Sequence, residues 1–191
     1  MDWDKFLYEN DEAAFSRIYK NCVSELYSYG ISLGFPSELC MDAIQEIFYK
    51  LYVQKNRLTH VSNIRFYLFR SFKNQLIDIQ KKRKIILPIE NSEHRFMMEI
   101  SVEDSFTNEE ERSLLKQKVE ELLQVLTDRQ HEAIYLRYMQ NMEYAEISTI
   151  MDMHPESVRK LVYRAMQAIR KSAKNSPFSL LFLLSHLFDL H

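Results

Sequence analysis

Apolar residues recur at three- and four-residue spacing in one stretch of the chain after another, the pattern of helices with a single buried face. The first stretch places Phe15, Ile18, Tyr19, Cys22, Val23 and Leu26 on one stripe. Asn10 is its expected N-cap, and Asp11 and Glu12 suit the positive end of its dipole. Gly30 to Pro36 is expected to end it. A second helix, about 37–54, turns Ala43, Ile44, Ile47, Phe48 and Leu51 inward and leaves Asp42, Gln45, Glu46, Tyr49 and Lys50 on other faces. The polar loop 56–63 (NRLTHVSN) leads to a third helix ending near residue 84, capped by Ser62 or Asn63. Its apolar positions are Ile64, Tyr67, Leu68, Ser71, Phe72, Leu76 and Ile79.

Beyond Pro88 the periodicity weakens. Residues 88–111 hold eight acidic side chains, among them Glu90, Glu99, Asp104 and Glu111, against Arg95 alone. That composition predicts a linker between two helical bodies. Thr107-Asn108-Glu109-Glu110 has the capping-box spacing and opens a helix to Leu126, with Leu115, Val119, Leu122 and Leu123 on one face. Thr127-Asp128-Arg129-Gln130 repeats the spacing and starts a helix to about Tyr138. Two helices joined by a tight corner follow. The first, about 143–151, turns Ile147, Ile150 and Met151 inward, with the small Ser148 where the pair must cross closely. Asp152-Met153-His154 forms the corner, and Asp tolerates the positive φ that glycine usually supplies there. The last helix opens on Pro155, where a missing N–H costs no hydrogen bond. Val158, Leu161, Val162, Ala165, Met166 and Ile169 give it an apolar face. Ser157, Lys160, Arg164, Gln167 and Lys171 share another, with Arg159 and Arg170 beside it.

Composition narrows this picture to an all-α protein of two small domains. Glycine is scarce, at two of 191 residues, with four prolines, and these six positions are expected to punctuate the chain rather than interrupt its helices. A hydrophobic content of 46% is that of a globular chain. The formal net charge is -2, so any nucleic-acid binding must come from segregated charge. Lys81-Lys82-Arg83-Lys84 is such a segregated run. It continues a helix that mixes Arg65, Arg70, Lys73 and Asn74 with Phe66, Tyr67 and Phe69, a combination suited to phosphates and unpaired bases. Taken alone, such a run reads first as a solvated surface. Cys22 and Cys40 read as buried free thiols of a reducing compartment. The six histidines show no ligand spacing, so no metal site is expected. No signal peptide is visible in residues 1–9, and residues 177–191 form an apolar tail shorter than the roughly 20 residues that span a bilayer.

Three ordered motifs carry a resemblance to a known family. Asp42-Ala43-Ile44-Gln45-Glu46-Ile47-Phe48 is similar to the core of the second conserved region of sigma-70-family factors. The run from Ile64 to Asn74 resembles the next stretch of that region. Leu126-Thr127-Asp128-Arg129-Gln130 through Arg170 resembles the fourth region. The match is nearest the small extracytoplasmic-function (ECF) group, which keeps only these two regions. Tyr67 stands where Trp is usual, Asp152 where the corner Gly is usual, Glu143 where Ser commonly caps and His154 where Ser is common.

The resemblance implies a transcription initiation subunit, not an enzyme, with no cofactor and no small-molecule substrate. Asp42, Gln45, Glu46 and Tyr49 would dock on core RNA polymerase. Asn56, Arg65, Arg70, Lys73, Asn74, Asp78 and Lys81 would open and hold the −10 element of promoter DNA. Ser157, Arg159, Lys160 and Arg164 would read the −35 element in the major groove. An anti-sigma regulator is a candidate partner, and the expected location is the cytoplasm, with membrane association open through a regulator or the tail. The expected domains are 1–86 and 113–175, with 87–112 as linker and 176–191 as tail. Two alternatives stand beside this reading. One is a stand-alone helix-turn-helix regulator whose N-terminal half senses a ligand or partner. The other is a membrane-associated interaction protein using the tail.

Overall fold

A computed structural model describes residues 2–86, 96, 113, 117 and 119–173, the side chains of 83–86 excepted. The described residues are helical with no strand, and the chain divides into two units, Met1–Arg95 and Phe96–His191.

The first unit contains α1 (Asp2–Tyr8), α2 (Glu12–Ser32), α3 (Ser37–Val53), a 3-10 turn (Lys55–Arg57) and α4 (Ile64–Ile86). Its core is built where the stripes of α2, α3 and α4 meet. Ile18, Cys22, Leu26 and Tyr29 pack with Cys40, Ala43, Ile44, Ile47, Phe48 and Leu51, and with Leu68, Phe69, Phe72 and Leu76. Aromatic rings join the elements: Tyr19 lies edge-on to Phe48 at 4.8 Å, and Tyr29 meets Phe69 at 5.3 Å between centroids.

Several local expectations need correction. Residues 2–8, given no element from sequence, form α1. The N-cap of α2 is Asp11, not Asn10: its carboxylate accepts from the backbone N–H of Ala13 (2.8 Å) and Ala14 (3.1 Å). Those bonds hold the Asp11 carboxyl below its ordinary pKa, the one from Ala14 contributing most. Asn10 instead has φ 56° and closes α1, with the N–H groups of Glu9 and Asp11 both reaching the Lys5 carbonyl. Gly30 does not end α2; it lies inside it and is buried. The reason is contact. A Cβ there would stand 2.6 Å from Cys40 Sγ and 2.8 Å from Phe72 Cζ. The helix ends at Gly34, φ 81°, with Gly34 N–H on Ile31 O and Phe35 N–H on Gly30 O, the paired bonds of a Schellman motif.

The second unit contains helical residues 119–123, then α5 (Asp128–Ile134), a π-helical turn (Tyr135–Met139), α6 (Tyr144–Ile150) and α7 (Pro155–Ala173). Val119, Leu122, Leu123 and Leu126 are buried, as their spacing predicts. The box at Thr127 forms as read: Thr127 Oγ1 accepts from Gln130 N–H, and Gln130 Oε1 accepts from Thr127 N–H. The corner after α6 also forms as read. Asp152 takes φ 52°, and Met153 N–H reaches Ser148 O at 2.9 Å, so Asp152 fills the place glycine holds at Gly34. Ser148 is buried and donates its hydroxyl to Ala145 O at 2.7 Å, leaving α6 and α7 free to cross closely. The box at Thr107, Leu115, most of the acidic stretch and the tail lie outside the described residues.

Phe96 is the described residue of that acidic stretch, and it belongs to the second unit. It is buried, with its ring stacked on His131 at 6.2 Å and edge-on to Tyr135 at 5.8 Å. Its N–H donates to Asp128 Oδ1 at 2.9 Å. An aromatic anchor thus interrupts what composition presents as a plain acidic linker.

Candidate nucleic-acid interface

The geometry of α7 starts at its cap. His154 Nδ1 accepts from Glu156 N–H at 3.3 Å, so histidine does here what serine commonly does. Val158, Val162, Ala165, Met166 and Ile169 are buried, which fixes the rotation of the helix. Ser157, Lys160, Arg164, Gln167 and Lys171 are consequently all exposed on the opposite side. Ser157, Lys160 and Arg164 follow one another at three- and four-residue steps and therefore form one row.

Arg159 stands beside that row and is engaged within the chain. It pairs with Glu156 at 2.8 Å and lies over the Tyr144 ring at 5.5 Å. Arg137 approaches the same ring at 4.9 Å and donates to Met142 O at 2.7 Å. Tyr163 is an exposed aromatic that sequence reasoning passed over. It is 62% exposed, and its hydroxyl accepts from Gln167 Nε2 at 3.1 Å, within the polar side of α7. A signal was available, since Tyr163 falls outside the apolar stripe and directly before Arg164.

On α4 the candidates separate. Arg70, Asn74, Asp78 and Lys81 are exposed, and Lys73 is half-buried. Arg70, Lys73, Asn74 and Lys81 share one side. Arg65 lies five residues before Arg70, about 140° round the helix. It is half-buried and bonded to Glu25 at 2.8 Å. Phe69 must leave the group of rings offered to bases, because it is fully buried against Tyr29. Phe66 and Tyr67 keep partial exposure. Asn56 is exposed in the 3-10 turn that follows α3.

The outer face of α3 brings Asp42, Gln45 and Tyr49 to solvent, with Glu46 half-exposed and paired to Lys50 at 3.0 Å. Tyr49 is 66% exposed, and Val53 and Tyr52 extend the same exposed strip. Sequence reasoning missed these last two, although both follow Tyr49 at three- and four-residue steps.

An open cleft of about 430 Å³ lies in the first unit, lined by Trp3, Cys22, Ser62, Asn63 and Arg65 among others. Burial pushes the Cys22 thiol up to about 11, with Glu25 adding to the shift, so it is a neutral, weakly nucleophilic wall of the cleft. Among the described residues no cluster of His, Cys, Asp or Glu could hold a metal ion. No described helix is long and apolar enough to cross a membrane.

The fold is therefore that of an all-helical protein in two units, the second containing a helix-turn-helix whose last helix is apolar inside and basic outside. Residues 116–169 match the family model described as "Sigma-70, region 4". The chain is similar to the ECF RNA polymerase sigma factor SigM of Bacillus subtilis (strain 168), 25% identical over 153 residues, covering 80% of this chain and 91% of that relative. It shares its fold with CnrH, solved in complex with the cytosolic domain of CnrY, at a TM-score of 0.55 and 16% identity over 91% of this chain and 99% of that one. Residues 116–169 therefore match sigma-70 region 4, and over most of its length the chain is similar to an extracytoplasmic-function sigma factor.

Proposed function

We propose that the chain binds core RNA polymerase and directs it to specific promoters. The observation that carries this reading is the row Ser157, Lys160 and Arg164 on the free side of α7, within the segment matched to sigma-70 region 4. A helix seated on a small core with cationic and polar side chains outward is shaped to enter a major groove, with Arg and Lys meeting phosphates and base edges. The second unit, with a core segment 113–175, takes the −35 element. Arg159, held by Glu156 and stacked over Tyr144, aims the edge of that surface, and Tyr163 joins the reading row. The first unit, within residues 1–86, takes polymerase and the −10 element. Asp42, Gln45, Glu46 and Tyr49 form an acidic and aromatic docking strip. Arg70, Lys73, Asn74 and Lys81 track the melted strand, with Asn56 and Asp78 at its margins. The cleft beside Ser62 and Asn63 is the candidate receptor for one unstacked base, whose capture offsets the cost of unstacking.

Arg65 takes a supporting role in this scheme, anchoring α4 to α2 through Glu25. Residues 87–112 connect the halves, and no catalytic step or cofactor is required of the chain. A protein regulator is a further partner, a reading supported by the complex in which CnrH was solved.

In-vitro transcription of a genomic library with core polymerase tests the proposal. Specific start sites are expected only when the chain is added. Binding to palindromic operators without polymerase, and no redirected start site, would overturn it in favour of a stand-alone regulator. Asp42→Lys is expected to weaken core capture roughly tenfold, the order of one desolvated charge contact. Arg164→Ala is expected to lower −35-dependent initiation by a similar factor while core capture stays normal.

A further inference from the structure

Residues 2–8 make a helix of only seven residues, yet three of them, Trp3, Phe6 and Leu7, are buried. So short a helix has little stability of its own and exists through what it packs against. Phe6 meets Phe15 of α2 at 4.9 Å and Tyr52 of α3 at 5.9 Å. Arg17 of α2 pairs with Asp2 at 2.8 Å and with Asp11 at 3.4 Å. The helix is thereby fixed to the body of the first unit.

From that fixed position it reaches both ends of the loop between α3 and α4. Trp3 Nε1 donates to the Val61 carbonyl at 2.8 Å, across 58 residues of sequence. At the other end Lys55 Nζ lies 4.8 Å from the centre of the Phe6 ring and donates to Asn10 Oδ1. Asn10 can offer its side chain there because it closes α1 in the left-handed conformation. The loop has little structure of its own. Between residues 54 and 63 Leu58 is the one buried side chain, and its turns are made by Arg57, Leu58 and Val61 N–H groups on Gln54, Lys55 and Leu58 carbonyls. A loop with so small a core needs an outside support to hold one geometry.

We propose that α1 braces the loop 54–63, with Trp3 and Lys55 as positioning residues for capture of the melted −10 strand. The proposal rests on the −10 reading given above. The brace acts through the loop it holds: Lys55 stands outside the lining of the cleft beside Ser62 and Asn63, while Trp3 also forms part of that cleft's wall. The brace lowers the number of loop conformations from which a base must be captured, and so acts as pre-organisation.

Trp3→Phe keeps most of the buried ring and removes the indole N–H. Lys55→Met keeps the stem over Phe6 and removes the bond to Asn10. Two measurements on the full chain decide. Amide hydrogen exchange of the free protein should rise at least fivefold in residues 56–63 in each variant, with α2 and α3 unchanged. Holoenzyme made with each variant should bind a single-stranded oligonucleotide of its own non-template −10 sequence roughly five- to tenfold more weakly, with core affinity unchanged. Asn74→Ala, on the strand-tracking face, is the control. If it weakens capture while Trp3→Phe and Lys55→Met alter neither exchange nor capture, the −10 reading stands and the brace is overturned. If exchange rises but no variant, Asn74→Ala included, changes capture, the −10 reading fails and the brace has no role in it. If Trp3→Phe raises exchange throughout the unit, Trp3 supports the fold at large, and the Lys55→Met result alone upholds or overturns the brace.

Discussion

The two units reach a helical fold by different routes. The first is held by contacts between residues far apart in sequence: Trp3 with Val61, Tyr29 with Phe69, Arg65 with Glu25, and Gly30 against Cys40 and Phe72. The second is specified largely by local devices. Thr127 and Gln130 box one helix start, His154 caps another, and Asp152 and Asn141 turn the chain at positive φ. Its α5 and α6 are seven residues each, too short to persist alone, so every start and stop must be marked. The difference has a functional sense. A helix-turn-helix must fix one crossing geometry, whereas the first unit must hold a polar loop and two exposed helix faces on an aromatic-rich core.

The largest expected effect breaks the first unit at its tightest contact. Gly30→Ala puts a methyl group into Cys40 Sγ and the Phe72 ring, both fully buried and unable to retreat into solvent. Over-packing of this kind costs about 1–3 kcal/mol. Trp3 is the chain's one tryptophan, so its fluorescence reports on the first unit. The urea midpoint read by fluorescence should fall while the part of the circular-dichroism signal from the second unit holds its place. Equal shifts by both probes would show the units unfolding as one and dissolve the distinction.

The next effect tests the local devices. Thr127→Ala removes the hydroxyl that accepts from Gln130 N–H and costs about 1 kcal/mol. The loss should appear in circular dichroism and leave the Trp3 fluorescence midpoint where it was. A shift of the fluorescence midpoint by the same amount would contradict the assignment of separate supports.

This contrast also explains what could be read from the amino-acid sequence. Capping boxes and apolar stripes are written in adjacent residues, so the box at Thr127, the corner at Asp152 and the buried face of α7 were all legible. So were the exposed positions Lys160, Arg164, Asp42 and Tyr49, because burial of the stripe dictates which side is left free. Features made by distant residues were not. Gly30 read as a helix terminator because its close neighbours, Cys40 and Phe72, are 10 and 42 positions away. Phe69 read as a ring open to bases, since nothing nearby announces Tyr29. Arg65 read as a cation open to nucleic acid, since Glu25 lies 40 residues earlier. The helix at residues 2–8 escaped notice because its stabilising partners lie on α2, α3 and the loop after it.

The smallest expected effect concerns the anchor that sequence reasoning missed. Phe96 stacks on His131, and burial holds the imidazole below its ordinary pKa of 6.5, against the opposing influences of Asp128 and a backbone hydrogen bond at Leu123. The folded protein therefore binds this proton less readily than the unfolded chain. The stabilising contribution is complete above about 6.5 and is lost as pH falls below that value toward the depressed folded pKa. His131→Leu keeps an apolar side chain under Phe96 and abolishes the titration. The wild-type circular-dichroism midpoint should fall further than the variant's between pH 7 and pH 5. The fluorescence midpoint of the first unit should show the same pH dependence in both proteins. An identical acid slope in the circular-dichroism midpoints would mean that the imidazole reaches solvent as easily folded as unfolded, and that Phe96 does not seal it.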